Sequence, residues 1–284
     1  MHTRDRLIRR LLGCWLIVVA GVLYGYGERI YSELEPAWLE LQRAHRLAIH
    51  KAGLPQPGTP DLGRIAERLT HDGFSAGAPV FLRIFKQESE LEVWLRKGPN
   101  FEKFATYPIC RWSGGLGPKL KEGDRQSPEG FYTVEADALN PHSRQYRSFN
   151  VGYPNLLDRA HKRTGSFVMV HGGCASIGCF AMTHPVMDEI WKLVTAAFET
   201  GQKRFQVQIF PFRLTDAKLE RHARHKWYGT WRELKPGFDA FEASHIPPRV
   251  QVCEGRYVLA GGFAGSDGSQ PIESSCPAMV AGEG

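Results

Sequence analysis

Two hydrophobic periods divide the chain. Behind Pro36, Trp38, Leu41, Ala44, Ala48 and Ile49 recur at i, i+3, i+4 spacing until Gly53 and Pro55, predicting a helix within Glu28 to Leu54. A short helix, Leu62 to Leu69, follows Asp61 as a candidate N-cap and ends near Gly73. From Pro79 the period becomes two. Val80 to Lys86 and Leu91 to Leu95 alternate around the polar turn Gln87 to Glu90, predicting a β-hairpin with one covered face. Phe104 to Cys110 and Phe131 to Ala136 extend the strand pattern, and the glycine-rich stretches Ser113 to Pro118, Gly123-Asp124 and Ser127 to Gly130 between them are loops. Ser148 to Gly152 fits a short strand, Asn155 to Arg163 a short helix, and Phe167 to Val170 a buried strand. Val186 to Phe198 is amphipathic, with Val186, Ile190, Val194 and Phe198 on one face, and Phe205 to Phe210 alternates again. Arg213 to Ser244 is basic, aromatic and helical in pieces, Arg249 to Leu259 fits a terminal hairpin, and Ala260 to Gly284 has no period. No internal repeat is present.

The amino terminus changes this picture. Arg4, Arg6, Arg9 and Arg10 precede the apolar run Leu11 to Tyr26, an arrangement that predicts export, with residues 11–26 retained as a membrane anchor or cleaved. Cys14 precedes most of the apolar run and is expected to be a buried membrane residue, not a lipidation site. Much of the net charge of +6 lies here, since without residues 1–27 the chain carries 32 basic against 29 acidic residues. So weak a balance gives no argument for nucleic acid. Export puts Cys110, Cys174, Cys179, Cys253 and Cys276 in an oxidising compartment, and an odd number leaves at least one thiol without a partner in the chain.

That points to the stretch from Ser166 to Trp191, where a strand ends in His171-Gly172-Gly173 and a short loop carries Cys174 and Cys179. A thiol becomes a good nucleophile when an imidazole or a helix amino terminus favours its thiolate, and Cys179 has both prospects nearby. The backbone N–H groups of Gly178 and Cys179 are candidates to hold an oxyanion. Two blander readings stand beside this one: His171 satisfying a core hydrogen bond with Cys174 and Cys179 joined or buried, and a zinc site of His171, Cys174, Cys179 and His184. Cys174 is expected to support the loop with Gly172 and Ser176, and His184 to be exposed near a helix start. Trp227, Tyr228 and Trp231 are expected to pack, with a glycan groove as the alternative. Arg144 and Arg147 are expected in a solvated loop, with binding of ligand carboxylates as the alternative.

Gly123-Asp124, Ser127-Pro128-Glu129-Gly130-Phe131-Tyr132, His171-Gly172 and Ser176-Ile177-Gly178-Cys179 together resemble the YkuD-type L,D-transpeptidase catalytic domain family, in its YafK-like branch. The resemblance covers about Pro79 to Leu214. It implies a periplasmic enzyme acting on peptidoglycan stem peptides, with Cys179 attacking the carbonyl of the L-centre of diaminopimelate, His171 as its partner, and no metal or organic cofactor. An amine of a second stem or water then resolves the thioester. Two positions depart from the commoner family pattern: Ile177 stands where a histidine is usual, and Ala181 where an arginine is frequent. The YafK-like branch shares both departures, and its implied activity includes hydrolytic release of an anchored outer-membrane lipoprotein.

The expected architecture is mostly β with flanking helices (α+β): an L,D-transpeptidase-like β-sandwich with a helical stalk and a basic C-terminal extension. The expected segments are a signal or anchor (1–27), a stalk (28–78), the catalytic domain (79–214), an extension (215–259) and a disordered tail (260–284). The expected function is a cysteine acyltransferase of the cell envelope. The alternatives are a lipoprotein-releasing amidase and a non-catalytic envelope binding module. Substrate-binding residues are not identified.

Overall fold

The structure, a computed structural model, describes residues 34–260, 269–273 and 276. The expected anchor and most of the expected tail lie outside the described residues. Among the described residues no helix is long and apolar enough to cross a membrane.

Two mixed sheets share one core with the domain's principal helix. The larger sheet has the order β3-β2-β1-β9-β4, built from β1 (Val80–Phe85), β2 (Glu90–Lys97), β3 (Asn100–Pro108), β4 (Gly130–Glu135) and β9 (Arg204–Phe210). The smaller sheet has the order β5-β6-β7-β8, from β5 (Leu139–Asn140), β6 (Ser148–Asn150), β7 (Met169–Gly172) and β8 (Phe180–Met182). Between β8 and β9 runs α4 (His184–Glu199), which buries Val186, Met187, Ile190, Leu193, Val194 and Ala197. Leu82, Ile84, Val93, Val134 and Val207 of the large sheet meet Phe149, Val170, Phe180 and Met182 of the small sheet in that core.

The β1–β2 hairpin corrects one expectation: all six residues of β1 are buried, so both of its faces are covered. The second cover is α6 (Tyr228–Ser244), whose Phe241 packs with Phe81, Trp94 and Phe101, and whose Phe238 packs on Phe85 and Phe210. Arg83 is buried there, ion-paired with Glu242 at 2.5 Å. Gly237 is required for this packing, because a Cβ would lie 2.4 Å from the Phe131 ring. The segment expected as an extension thus contributes part of the large sheet's cover.

The amino-terminal helix α1 (residues 34–51) lies on the domain. Leu39 joins the core, and Arg43 stacks over Trp112 at 4.0 Å and donates to the Gly114 carbonyl. Its outer face leaves Leu34, Trp38 and Leu41 exposed. The Leu62 to Leu69 expectation resolves into a 3-10 turn (Leu62–Arg64) and α2 (Ile65–His71), and Asp61 makes no side-chain cap bond. By contrast Asn155 caps α3 (Leu156–Ala160) in a reciprocal capping box with Asp158. α5 (Asp216–Arg221) precedes α6, and the predicted terminal hairpin is β10 (Val250–Cys253) with β11 (Arg256–Leu259).

Candidate active site

Four of the five cysteines after residue 27 are paired. Cys110 is bonded to Cys174 and Cys253 to Cys276, and Cys179 is the free cysteine among the described residues. The zinc reading therefore loses Cys174, whose sulfur is spent on Cys110. The reading in which Cys174 joins Cys179 is corrected for the same reason. Cys174 ties the loop between β7 and β8 to the segment just after β3.

Strand register sets the geometry of the loop. β7 pairs with β8 in parallel, with Val170 opposite Phe180, His171 opposite Ala181 and Gly172 opposite Met182. β6 pairs with β7 antiparallel, with Ser148 opposite His171 and Phe149 opposite Val170. Phe149, Val170 and Phe180 form a fully buried row facing the core. Because side chains alternate, Ser148, His171 and Ala181 form the next row on the other face. Cys179 precedes Ala181 by two positions, on that same face and diagonal to His171.

The two candidate groups are held in particular states. His171 is buried, and its Nδ1 is 2.7 Å from the Gly172 carbonyl, so the neutral ring carries its proton there and leaves Nε2 as the basic nitrogen. Burial lowers the His171 pKa below the usual imidazole value, and the bond to Gly172 only partly opposes this. Burial raises the Cys179 pKa above the usual thiol value, against the lowering effects of the Met169 N–H and the charge of Lys119. Met169 N–H donates to Sγ at 3.3 Å, and the thiol faces the Phe167 carbonyl at 3.7 Å. The resting pair is a neutral thiol and a neutral imidazole. The expected support from a helix amino terminus is absent, because β8 intervenes and α4 begins only at His184.

A serine network pins the backbone of Cys179. Ser176 Oγ donates to the Cys179 carbonyl at 2.7 Å and Ser127 Oγ donates to it at 3.3 Å. Ser176 Oγ accepts from Ser113 Oγ at 2.9 Å and from the Gly178 N–H at 3.1 Å, while Ser113 N–H donates to Ser127 Oγ at 3.1 Å. Gly178, at φ 148°, takes a backbone conformation that glycine permits. Its N–H is committed to Ser176, so of the two expected oxyanion donors only that of Cys179 is not engaged by this network.

Beneath the network lies a fully buried ion pair. Lys86 Nζ donates to Glu129 Oε1 at 2.8 Å, to the Ser127 carbonyl at 3.0 Å and to the Gly117 carbonyl at 2.8 Å. Glu129 also accepts from the Gly117 N–H and from Trp231 Nε1. Desolvation lowers the Lys86 pKa, and Glu129 opposes it. Such a pair adds little net stability but leaves an uncompensated charge when one member is removed. Sequence reasoning missed Ser113, Ser127, Lys86 and Glu129. The Ser-Pro-Glu-Gly run carried Ser127 and Glu129, yet a lysine at a strand end gave no sign of burial.

Other expected residues fall in place around this centre. His184 is exposed and stacks on Tyr146 at 4.6 Å, and Arg147 pairs with Asp188 at 2.9 Å. Arg144 is exposed in its loop. Trp231 is buried against Phe212, Trp227 packs against Gly117, and the cluster is packing. Phe167 and Ile177, both ahead of Cys179 in the chain, are exposed apolar side chains, at 71% and 79%.

Residues 86–230 match the family model of the L,D-transpeptidase catalytic domain, YkuD. The chain is 48% identical over 184 residues to YafK of Escherichia coli strains K12 and O157:H7, proteins that carry the L,D-transpeptidase name, covering 65% of this chain and 75% of theirs. Among solved structures, the helical cell shape determining protein Pgp2 of Campylobacter jejuni is similar with a TM-score of 0.40 and 19% identity, covering 64% of this chain and 68% of that one. Bd1075 of Bdellovibrio bacteriovorus is similar with a TM-score of 0.33 and 20% identity, covering 57% and 60%.

Proposed function

The chain belongs to the YkuD family of L,D-transpeptidase catalytic domains, and on that footing we propose that it is a peptidoglycan-modifying cysteine acyltransferase working through a Cys179 thioester. The observation that carries the reading is the placement of the unpaired Cys179 on the sheet face of a His171 whose Nδ1 is already fixed. The substrate is a diaminopimelate-containing stem peptide, attacked at the carbonyl of the L-centre.

Because both groups rest neutral, deprotonation and attack are coupled. His171 Nε2 takes the thiol proton as Sγ adds to the carbonyl, and the same nitrogen returns that proton to the departing amine. The tetrahedral oxyanion needs donors on the loop. Cys179 N–H serves directly, whereas Gly178 N–H serves only by exchanging Ser176 Oγ for the substrate oxygen. An amine of a second stem resolves the thioester to a cross-link, and water resolves it to a hydrolysed product, which includes release of an anchored lipoprotein. The reaction belongs in the cell envelope, with residues 11–26 as the exporting or anchoring segment.

The test is incubation of the protein with defined muropeptides beside Cys179→Ala, with products identified by mass spectrometry. Loss of all product in the variant is expected. Unchanged product in the variant contradicts the nucleophile, and free lipoprotein from sacculi without new cross-links assigns the acceptor as water.

A further inference from the structure

The row of side chains beside the candidate nucleophile does not end at Ala181. The chain leaves β3, and Arg111 forms an antiparallel bridge with Ala181, its N–H donating to the Ala181 carbonyl at 3.1 Å and its carbonyl accepting from the Ala181 N–H at 2.8 Å. Two reciprocal bonds define a directly opposed pair about 5.5 Å apart at Cα, with both side chains leaving the same face. The row across the small sheet is therefore Ser148, His171, Ala181, Arg111, with Cys179 diagonal to both His171 and Arg111.

Three features of this row call for an anionic ligand. Arg111 is half-buried, and its guanidinium makes no hydrogen bond or ion pair among the described residues. The cations near the row are committed: Arg43, which interacts electrostatically with Arg111, to Glu40 at 2.6 Å, Lys119 to Asp124 at 2.6 Å and Arg147 to Asp188 at 2.9 Å. Ala181, between His171 and Arg111 in the row, is fully buried and carries only a methyl group. At the far end of the row, Ser148 Oγ is buried without a partner. An arginine presents a planar fork suited to two oxygens, and a half-desolvated one gains more from a carboxylate than a solvated one does.

We infer that Arg111 is a specificity-determining residue that binds the free carboxylate of the group leaving from the Cys179 acyl centre. This rests on the acyltransfer reading above. A terminal D-amino acid leaving through its α-nitrogen carries this carboxylate on the adjacent carbon, within one residue of the acyl centre, and the assignment is made for that leaving group.

The experiment compares alkylation of Cys179 in the full chain by iodoacetate and by iodoacetamide. The two reagents lose the same iodide to the same sulfur and differ in the carboxylate. In Arg111→Gln the iodoacetate-to-iodoacetamide rate ratio is expected to fall about 10- to 100-fold, while Arg111→Lys keeps most of it. An unchanged iodoacetamide rate shows that the thiol and loop are intact. A ratio unchanged in Arg111→Gln, or both rates falling alike, overturns the assignment. With peptides, Arg111→Gln is expected to lower kcat/KM on a tetrapeptide acid by a similar factor and to have little effect on its carboxy-terminal amide. If the wild-type chain turns over neither peptide, the acyltransfer reading fails, and the alkylation ratio still decides the role of Arg111.

Discussion

The bridge from Cys110 to Cys174 is predicted to govern both stability and chemistry, and the second disulfide only stability. Replacing Cys110 and Cys174 together by alanine opens a loop with a sequence separation of 64 residues. The chain-entropy relation then gives a loss of about 4 kcal/mol at 25 °C. For Cys253 and Cys276, separated by 23 residues, the same relation gives about 3 kcal/mol. Stability alone barely separates the two, and both losses are large against the roughly 5–15 kcal/mol of a typical domain. Position does separate them. Cys174 lies in the loop that joins His171 to Cys179, and Gln56 Nε2 approaches Cys110 Sγ at 3.6 Å, so the first bridge fixes the site loop to the segment following α1. The second clips the β10–β11 hairpin to the segment around Glu273. Urea unfolding of each double variant, with kcat measured on the folded population, is the assay. The Cys110/Cys174 variant is expected to lose about 4 kcal/mol and at least tenfold in kcat. The Cys253/Cys276 variant is expected to lose about 3 kcal/mol and keep its kcat. A first variant with full kcat, or with a loss under about 1 kcal/mol, refutes the reasoning.

Other outcomes follow from the same geometry. Activity requires His171 neutral and its pKa is lowered, so the acid limb of kcat/KM is expected to have its midpoint below the usual imidazole value of about 6.5; a midpoint above that value contradicts a buried, neutral His171 as the base. Burial, with Glu129 adding to it, raises Glu35 to about 7, so the folded state binds this proton more tightly than the unfolded chain. Stability from this group is therefore lost as pH rises from about 4.5 to about 7, and Glu35→Gln is expected to stabilise the protein by about 1–3 kcal/mol at pH 8 and by little at pH 4 in thermal unfolding at matched ionic strength. Ser127→Ala removes one of two hydroxyls from the Cys179 carbonyl and leaves Ser113 N–H unmatched, which is expected to cost about 1–3 kcal/mol in stability and to lower kcat with KM nearly unchanged.

How much of this was legible depends on how far each signal reaches along the chain. The β1–β2 hairpin and α4 are local, since alternation about Gln87 to Glu90 and the Val186, Ile190, Val194 spacing each specify an element within a few residues. β8 gave no such signal. Phe180-Ala181-Met182 is buried at every position and too short to show a period, so the sequence alone does not set it apart from the loop. Cys179 and His171 stood out because a thiol and an imidazole near a strand end are rare outside chemistry, but their shared face needed the β7–β8 register. Nothing in sequence pairs Cys110 with Cys174, or places Lys86 under the Ser127 loop. A charged side chain is expected at the surface, and only the tertiary position of Glu129 makes its burial tolerable. Arg111 was invisible for the same reason, because its position relative to Cys179 exists only through the bridge to Ala181.

The central claim is that Cys179 becomes acylated during turnover. Intact-mass measurement of the protein, quenched in acid within seconds of mixing with a tetrapeptide muropeptide, tests it directly. The account predicts an adduct equal to the donor minus its leaving group, located on Cys179 by proteolytic digestion and lost on treatment with hydroxylamine. Turnover by wild type that survives Cys179→Ala, or an adduct located on any other residue, would contradict it.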